Sequence, residues 1–216
     1  MSTDNKKKEG LVPEPSLRRM PTYLAYLKMA KNQNQQFVSS THIARDMGVD
    51  PTQVTKDLSY TSIVGKTRVG YEVEPLINIL EEFLGFRTID EAYLFGAGSL
   101  GNALLLDHGL SQFGLKIVAA FDVDANIIGK EIAGVPIYHM DDFHKMQEEK
   151  QVNIGILTVP SEYAQKVAHD IVDGGIKGIW NFTPMRIRLG EDVVVQDTSL
   201  YAHLAVMFNR MQYLKK

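Results

Sequence analysis

Three glycines and an aspartate carry the first chemistry in this sequence. In "AYLFGAGSLGNALLL" Gly96, Gly98 and Gly101 leave one apolar run and open another, with the spacing G-x-G-x-x-G. A strand-to-helix turn of this kind aims free backbone N–H groups and the positive end of a helix dipole at phosphate. Gly96 permits the tight turn, Gly98 lets a pyrophosphate approach the backbone, and Gly101 allows close helix–strand packing. Ala97, Ser99 and Leu100 complete the cofactor-binding loop. The next apolar run, "KIVAAF", ends in "DVD", which places Asp122 21 residues after Gly101. A carboxylate there accepts hydrogen bonds from the adenine ribose and repels a 2′-phosphate. NADH and NAD+ are therefore the expected cofactors, not their phosphorylated counterparts. Val159 and Pro160 in "LTVPS", with Phe182 and Pro184 in "NFTP", stand at the ends of two later apolar runs. They can line a dry nicotinamide pocket, which favours the neutral reduced ring over the cationic oxidised one.

No residue set for turning that cofactor over is evident. A dehydrogenase needs an acid/base group beside the nicotinamide. None of His42, His108, His139, His144, His169 and His203 stands in a recognisable catalytic setting, and no Ser-x-x-x-Tyr-x-x-x-Lys set is present. A substrate-binding domain is also missing. There are no cysteines, which removes thiol chemistry, disulfides and Cys-ligated metals. No metal is expected. The dinucleotide is to be read rather than used.

A second constellation lies upstream, in "VSSTHIARDMGVDPTQVTKDLSY". Ser39 or Ser40 can cap a short helix carrying Ile43, Ala44 and Met47, and Gly48 makes a turn. Asp50 then caps a second helix with Pro51 at its first position and Gln53 at its third, the arrangement of a capping box. Val54 and Leu58 point inward, leaving Thr52, Gln53, Thr55 and Lys56 outward, as a major-groove helix requires. "GKTRVGYEV" follows as a hairpin wing with Lys66 and Arg68 near its tip, where they can reach phosphates.

The elements that position these groups fall into two blocks. Residues 1–15 are read as a flexible lead-in and 16–86 as a winged helix-turn-helix domain. In "SLRRMPTYLAYLKMAKNQ" Leu17, Met20, Leu24, Leu27 and Met29 recur at helical spacing, with Pro21 near the helix start. "PLINILEEFLG" makes an amphipathic helix closing at Gly85. Residues 87–197 alternate strands ("AYLF", "KIVAAF", "VPIY", "NIGILTV", "GIWNF") with helices over 100–106, 141–149 and 161–173. Nearly continuous apolar strands alternating with helices predict a Rossmann-type parallel sheet covered on both faces, an α/β fold. The last helix, 198–216, is apolar around so much of its circumference that it must be buried on several sides, either within its own chain or in a second subunit.

The net charge of −3 conceals an asymmetry. Residues 1–71 hold 11 Lys+Arg against 6 Asp+Glu, and residues 72–216 hold 12 against 20. A basic front half on an acidic body suits a polyanion partner for the front half. No apolar run reaches membrane-span length and "MSTDNKKKEG" lacks a secretory h-region, so a cytoplasmic protein without membrane partners is expected.

The blocks "RRMPTYLAYL", "VSSTHIARDMGV", "QVTKDLSY", "VGYEV", "LFGAGSLGNALL", "IVAAFDVD", "VPSEYAQKVA" and "GIWNFTP" occur in the order found in Rex-family redox-sensing transcriptional repressors. Over roughly residues 17–214 the chain resembles that family. The resemblance implies a homodimer with exchanged C-terminal helices. It implies binding to palindromic double-stranded operators when NADH is scarce and release when NADH rises. It matches Arg19, Ser40, Lys56, Lys66 and Arg68 to DNA-facing positions, and Gly96 to Gly101 with Asp122 to the cofactor site. The sequence departs from the family at Ser99, where Asn is usual, and in a wing that reads "IVGKTRVGY" rather than "FGKRGVGY". It also has Asp107 and Ser199 where the family commonly has a switch Tyr and Asp. A carboxylate and a hydroxyl, one from each subunit, can still hydrogen-bond with donor and acceptor exchanged. The rival reading is a small NAD-dependent oxidoreductase or CoA-ligase-like nucleotide-binding subunit with a helical extension.

Overall fold

A computed structural model describes residues 12–214. The lysines at 6–8 and most of the expected lead-in lie outside the described residues. The chain divides into two compact units, Met1–Thr88 and Ile89–Lys216.

The described residues of the first unit form four helices, α1 (Glu14–Asn32), α2 (Ser40–Met47), α3 (Pro51–Leu58) and α4 (Val73–Phe83), with two short strands, β1 (Phe37–Val38) and β2 (Tyr71–Glu72). Met20, Tyr23, Leu24 and Leu27 of α1 bury against Ile43, Val54, Leu58, Leu76 and Leu80. Two expectations fail on α1. Leu17 and Met29 are exposed, and Tyr23 takes their place in the stripe. Pro21 sits inside the helix, which starts earlier with Pro13 at the cap and a second proline, Pro15, in its first turn. The helix runs through Pro21 because fully buried side chains on both sides of it hold the backbone in place. The helix after the turn keeps its expected end: Gly85 has φ +76° and Phe86 N–H donates to the Glu81 carbonyl. The wing is not a self-contained hairpin. β2 pairs antiparallel with β1, and the tip is a tight turn bridged by Lys66 and Gly70.

The second unit is built on a seven-stranded sheet. In chain order its elements are β3 (Asp90–Phe95), α5 (Ser99–Leu106), α6 (Gly109–Gln112), β4 (Leu115–Asp122), β5 (Glu131–Ile132), β6 (Val135–His139), α7 (Phe143–Lys150), β7 (Ile154–Leu157), α8 (Ser161–Asp173), β8 (Gly178–Asn181), β9 (Val194–Asp197) and α9 (Leu200–Leu214). The sheet order is β5-β6-β4-β3-β7-β8-β9, with every pair parallel except β5–β6. Without β5, this is the doubly wound order in which the third, second and first parallel strands meet the fourth, fifth and sixth. β3 shows why the strands read as unbroken apolar runs. Ala92 and Leu94 enter the core on one sheet face, with Leu105 of α5, while Tyr93 and Phe95 enter the other with Phe143 of α7 and Ala164 and Ala168 of α8. The helix expected over 141–149 is split into a 3-10 turn, Met140–Asp142, and α7.

Candidate dinucleotide cleft and nucleic-acid interface

The sheet reverses direction of build at β3, between β4 and β7, and the glycine turn leaves the sheet there. Neighbours grip the turn from both sides. Gly96 N–H donates to the Phe121 carbonyl at 2.8 Å, and Ala97 N–H to Asp122 Oδ2 at 2.6 Å. Just past β7, the Thr158 hydroxyl donates toward the carbonyls of Phe95 at 3.0 Å and Gly96 at 2.7 Å. Gly96 has φ +96°, and a Cβ there would meet Val159 N at 2.9 Å. A Cβ on Gly101 would lie 2.0 Å from the Gly96 carbonyl oxygen, whereas one on Gly98 would meet nothing within 4 Å. Two of the glycines are thus required by the fold, and the third faces open space.

That space is a cleft of about 960 Å³ outside the carboxyl ends of the strands, the size and place of a nucleotide site in this architecture. Gly96, Gly98, Ser99 and Leu100 line it on one side, with Asp122 at the end of β4. Val159, Pro160, Phe182 and Pro184 line it on the other. The first turn of α5 has no side-chain cap, so its N–H groups face the cleft uncommitted to a protein side chain. Ala97 and Gly101 are not among the lining residues. Ala97 gives its N–H to Asp122, and Gly101 packs α5 onto β3.

Asp122 is busier than its position in the sequence suggests. Besides Ala97, its carboxylate accepts from Val123 N–H at 2.7 Å and Asp124 N–H at 2.9 Å. Three of about four acceptor positions hold the turn and the strand end together. One remains open. The cleft also contains residues that the spacing of motifs does not flag: Tyr163 and Lys166 from the first turns of α8, and Leu200 and Tyr201 opening α9. Lys166 is the single cation among the described lining residues, against Asp122, Asp124, Asp141 and Asp170. An anion in this cleft would therefore have to rely on backbone N–H groups.

The loop that bears Phe182 and Pro184 hangs on Asn181, which is fully buried. Its Nδ2 donates to the Met185 carbonyl and to Asp197 Oδ1, each at 2.8 Å, and its Oδ1 accepts from Thr183 N–H at 3.0 Å and Oγ1 at 2.8 Å. Trp180 Nε1 donates to Thr198 Oγ1 at 2.9 Å beside it. The loop bearing Phe182 and Pro184 is tied in this way to the segment from which α9 departs.

In the first unit, Ser39 caps α2 by accepting from His42 N–H, which leaves Ser40 as the first helical residue. Asp50 caps α3 by accepting from Thr52 N–H at 2.8 Å and from the Thr52 hydroxyl. The expected capping box does not form, because Gln53 turns to Asp57 instead. Asp57 is fully buried and collects Arg19 Nε at 2.7 Å, Arg19 Nη2 at 2.8 Å, the Tyr23 hydroxyl at 2.8 Å and Gln53 Nε2 at 3.1 Å. Burial alone would push its pKa up. The hydrogen bonds, from Arg19 first, outweigh that and hold it at about 2. Burial and Asp57 together push the Tyr23 phenol up to about 12. Arg19, expected to face DNA, spends two of its five N–H donors on this carboxylate. Lys66 also has local partners: it pairs with Glu72 and lies 5.5 Å from the Phe37 ring centroid. Lys56 is exposed on α3, and Arg68, at φ +64°, is exposed at the wing tip.

The two units match different family models: a putative DNA-binding protein N-terminus over residues 11–59 and a CoA binding domain over residues 88–185. A redox-sensing transcriptional repressor Rex of Bacteroides thetaiotaomicron is 60% identical over 202 residues, 94% of this chain and 92% of the relative. The chain belongs to the Rex family of redox-sensing repressors. A crystal structure of RSP in complex with β-NAD+ and operator DNA superposes with a TM-score of 0.89 at 29% identity, covering 95% of this chain and 94% of RSP. RSP with β-NADH gives 0.85 at 28%, covering 95% and 96%.

Asp107 and Ser199, expected to replace the family's switch pair, line different depressions of the chain. Asp107 ends α5, accepts from Gly109 N–H at 2.9 Å and lines a separate depression with His108 and Lys116. Ser199 accepts from Ala202 N–H at 3.1 Å, at the start of α9, and lines the dinucleotide cleft. The feature of this Rex chain least visible in its sequence is Asp57. Its place in an outward-looking polar stretch hides a buried role, and the signal was Arg19 with Tyr23 at i, i+4 on another helix.

Proposed function

We propose that this protein is an NADH-responsive repressor that binds palindromic operators as a homodimer when NADH is scarce and releases them when NADH binds. The observation that carries this reading is the cleft at the sheet's switch point. It has an open glycine for pyrophosphate and an uncapped helix N-terminus, and an apolar end at Val159, Phe182 and Pro184. The surrounding carboxylates favour NAD(H) over a 2′-phosphorylated cofactor, and equally over the 3′-phosphate of CoA. Arg19, Ser40, Thr52, Gln53, Lys56, Lys66 and Arg68 form the DNA-facing set in this reading. A helix that leaves all its described apolar side chains exposed, α9, supports a dimer. Across that dimer Asp107 of one subunit and Ser199 of its partner would supply a switch contact. Regulation then works as a population shift: NADH binds the released arrangement more tightly than the DNA-binding one. Reversing a strongly biased equilibrium takes about 5 kcal/mol of differential affinity.

The test is fluorescence anisotropy on a palindromic duplex selected from a random pool, with NADH, NAD+, CoA or nothing added. Release by NADH alone is the expected result. Tight binding indifferent to NADH overturns the redox reading, and failure to select any duplex overturns the repressor reading.

A further inference from the structure

The Asp57 cluster has a consequence for base recognition. Its four donors occupy the four acceptor positions of the carboxylate: Arg19 Nε and the Tyr23 hydroxyl on Oδ2, Arg19 Nη2 and Gln53 Nε2 on Oδ1. A carboxylate held ionised can only accept, so Gln53 must present its amide nitrogen and never its oxygen. A side-chain amide otherwise free to turn either way is therefore set in one sense. Gln53 lies in the first turn of α3, half-exposed, between the outward Thr52 and Lys56.

We propose that Gln53 reads an adenine in the major groove and that Asp57 is the positioning residue that aims its amide. This rests on the operator-binding reading above. Asp57 stands one helical turn beyond Gln53 and takes one N–H of its amide at 3.1 Å; in the proposed arrangement this is the N–H on the Cγ side. The opposite edge of the amide then presents Oε1 and the second N–H side by side. That pattern, acceptor beside donor, complements the N6 amine and N7 of adenine. Guanine offers two acceptors and would oppose Oε1 with one of them. Thymine offers an acceptor and a methyl group, and cytosine a single donor. Orienting the amide in advance also removes part of the rotamer entropy that a free glutamine would lose on contact.

The experiment uses the selected operator and the full chain. Each adenine of a half-site is replaced in turn by 7-deazaadenine, which keeps the amine and the base pair but lacks N7. Affinity is read by anisotropy for the natural protein and for Gln53→Ala. The natural protein is expected to lose roughly tenfold at one adenine per half-site. Gln53→Ala binds more weakly and is indifferent to the analogue at that position only, keeping its sensitivity elsewhere. A uniform loss in Gln53→Ala, with every base preference retained, overturns the assignment alone. A natural protein that selects no duplex overturns the operator reading and this assignment with it. Asp57→Asn lowers stability too, so its readout is the ratio of affinities for adenine and guanine at that base pair. The ratio is expected to fall toward one, and an unchanged ratio overturns the positioning role of Asp57.

Discussion

Gly98 and Gly101 are three residues apart and should fail in different ways. A methyl on Gly101 would lie within 2.0 Å of the Gly96 carbonyl and push α5 off β3. Gly101→Ala is expected to lose about 1–3 kcal/mol of stability, the scale of an overpacked core, and denaturant unfolding measures it. A methyl on Gly98 meets only the cleft. Gly98→Ala should unfold like the natural protein yet bind NADH at least tenfold more weakly, as read by cofactor fluorescence; unchanged affinity would place the pyrophosphate elsewhere. Asp57 makes a second residue-scale case. Its folded pKa of about 2 lies below the ordinary aspartate value. The group therefore contributes stability that is present above pH 4 and lost as pH falls toward 2. The shift corresponds to about 2 kcal/mol. The stability gap between the natural protein and Asp57→Asn should shrink over that window in urea titrations. A gap that stays constant from pH 5 to pH 2.5 would contradict the depressed pKa.

At the scale of elements, the buried polar clamp around Asn181 gives the clearest expectation. Asn181→Leu leaves the Thr183 N–H without its acceptor, removes the amide donor to the Met185 carbonyl and to Asp197, and frees the loop that carries Phe182 and Pro184. A loss of roughly 2–3 kcal/mol is expected from unsatisfied buried groups, with weaker NADH binding; a stable variant with natural affinity would show that the clamp is dispensable. How well the sequence foretold each element follows from how local its cause is. α8, at Ser161–Asp173, matches the expected span at both ends, because proline and a glycine pair bound it within the chain. The five sheet strands that were apolar runs were equally legible. β5 and β9 were not, since they are short edge strands of two and four residues with mixed polarity. The wing was misjudged because the partner of Tyr71–Glu72 lies more than thirty residues earlier, at Phe37–Val38. The bonds of Arg19 and Gln53 to Asp57 were not foreseen, because that carboxylate became an interior group only when α1 packed on α3. The glycines and Asp122 carried signals of spacing, whereas Thr158 and Asn181 act through contacts that no local pattern encodes.

For the molecule as a whole, the decisive element is α9. Leu204, Phe208 and Met211 remain 41%, 53% and 47% exposed, and Leu200, Met207 and Leu214 extend the same apolar surface. A fifteen-residue helix left to water is marginal, and a continuous apolar patch of this extent marks an association surface. The palindromic operator of the proposed function would likewise require two recognition helices related by a two-fold axis. Both requirements are met if the helix is covered by a second copy of the chain. The intact protein is then expected to sediment at twice its 24.2 kDa mass at micromolar concentration. A chain ending at Thr198 should sediment at the mass of a single chain and lose operator affinity by several orders of magnitude. It should keep measurable NADH binding, because the glycine turn, Asp122, Val159 and Phe182 all precede the cut. Since Leu200 and Tyr201 line the cleft, that binding should weaken, but by far less than DNA binding. Leu204→Glu with Phe208→Glu gives the same test without shortening the chain, by placing charges on the apolar surface. A truncated protein that remained dimeric would move the association surface off α9. One that was monomeric yet bound operator as before would remove the two-fold requirement from repression.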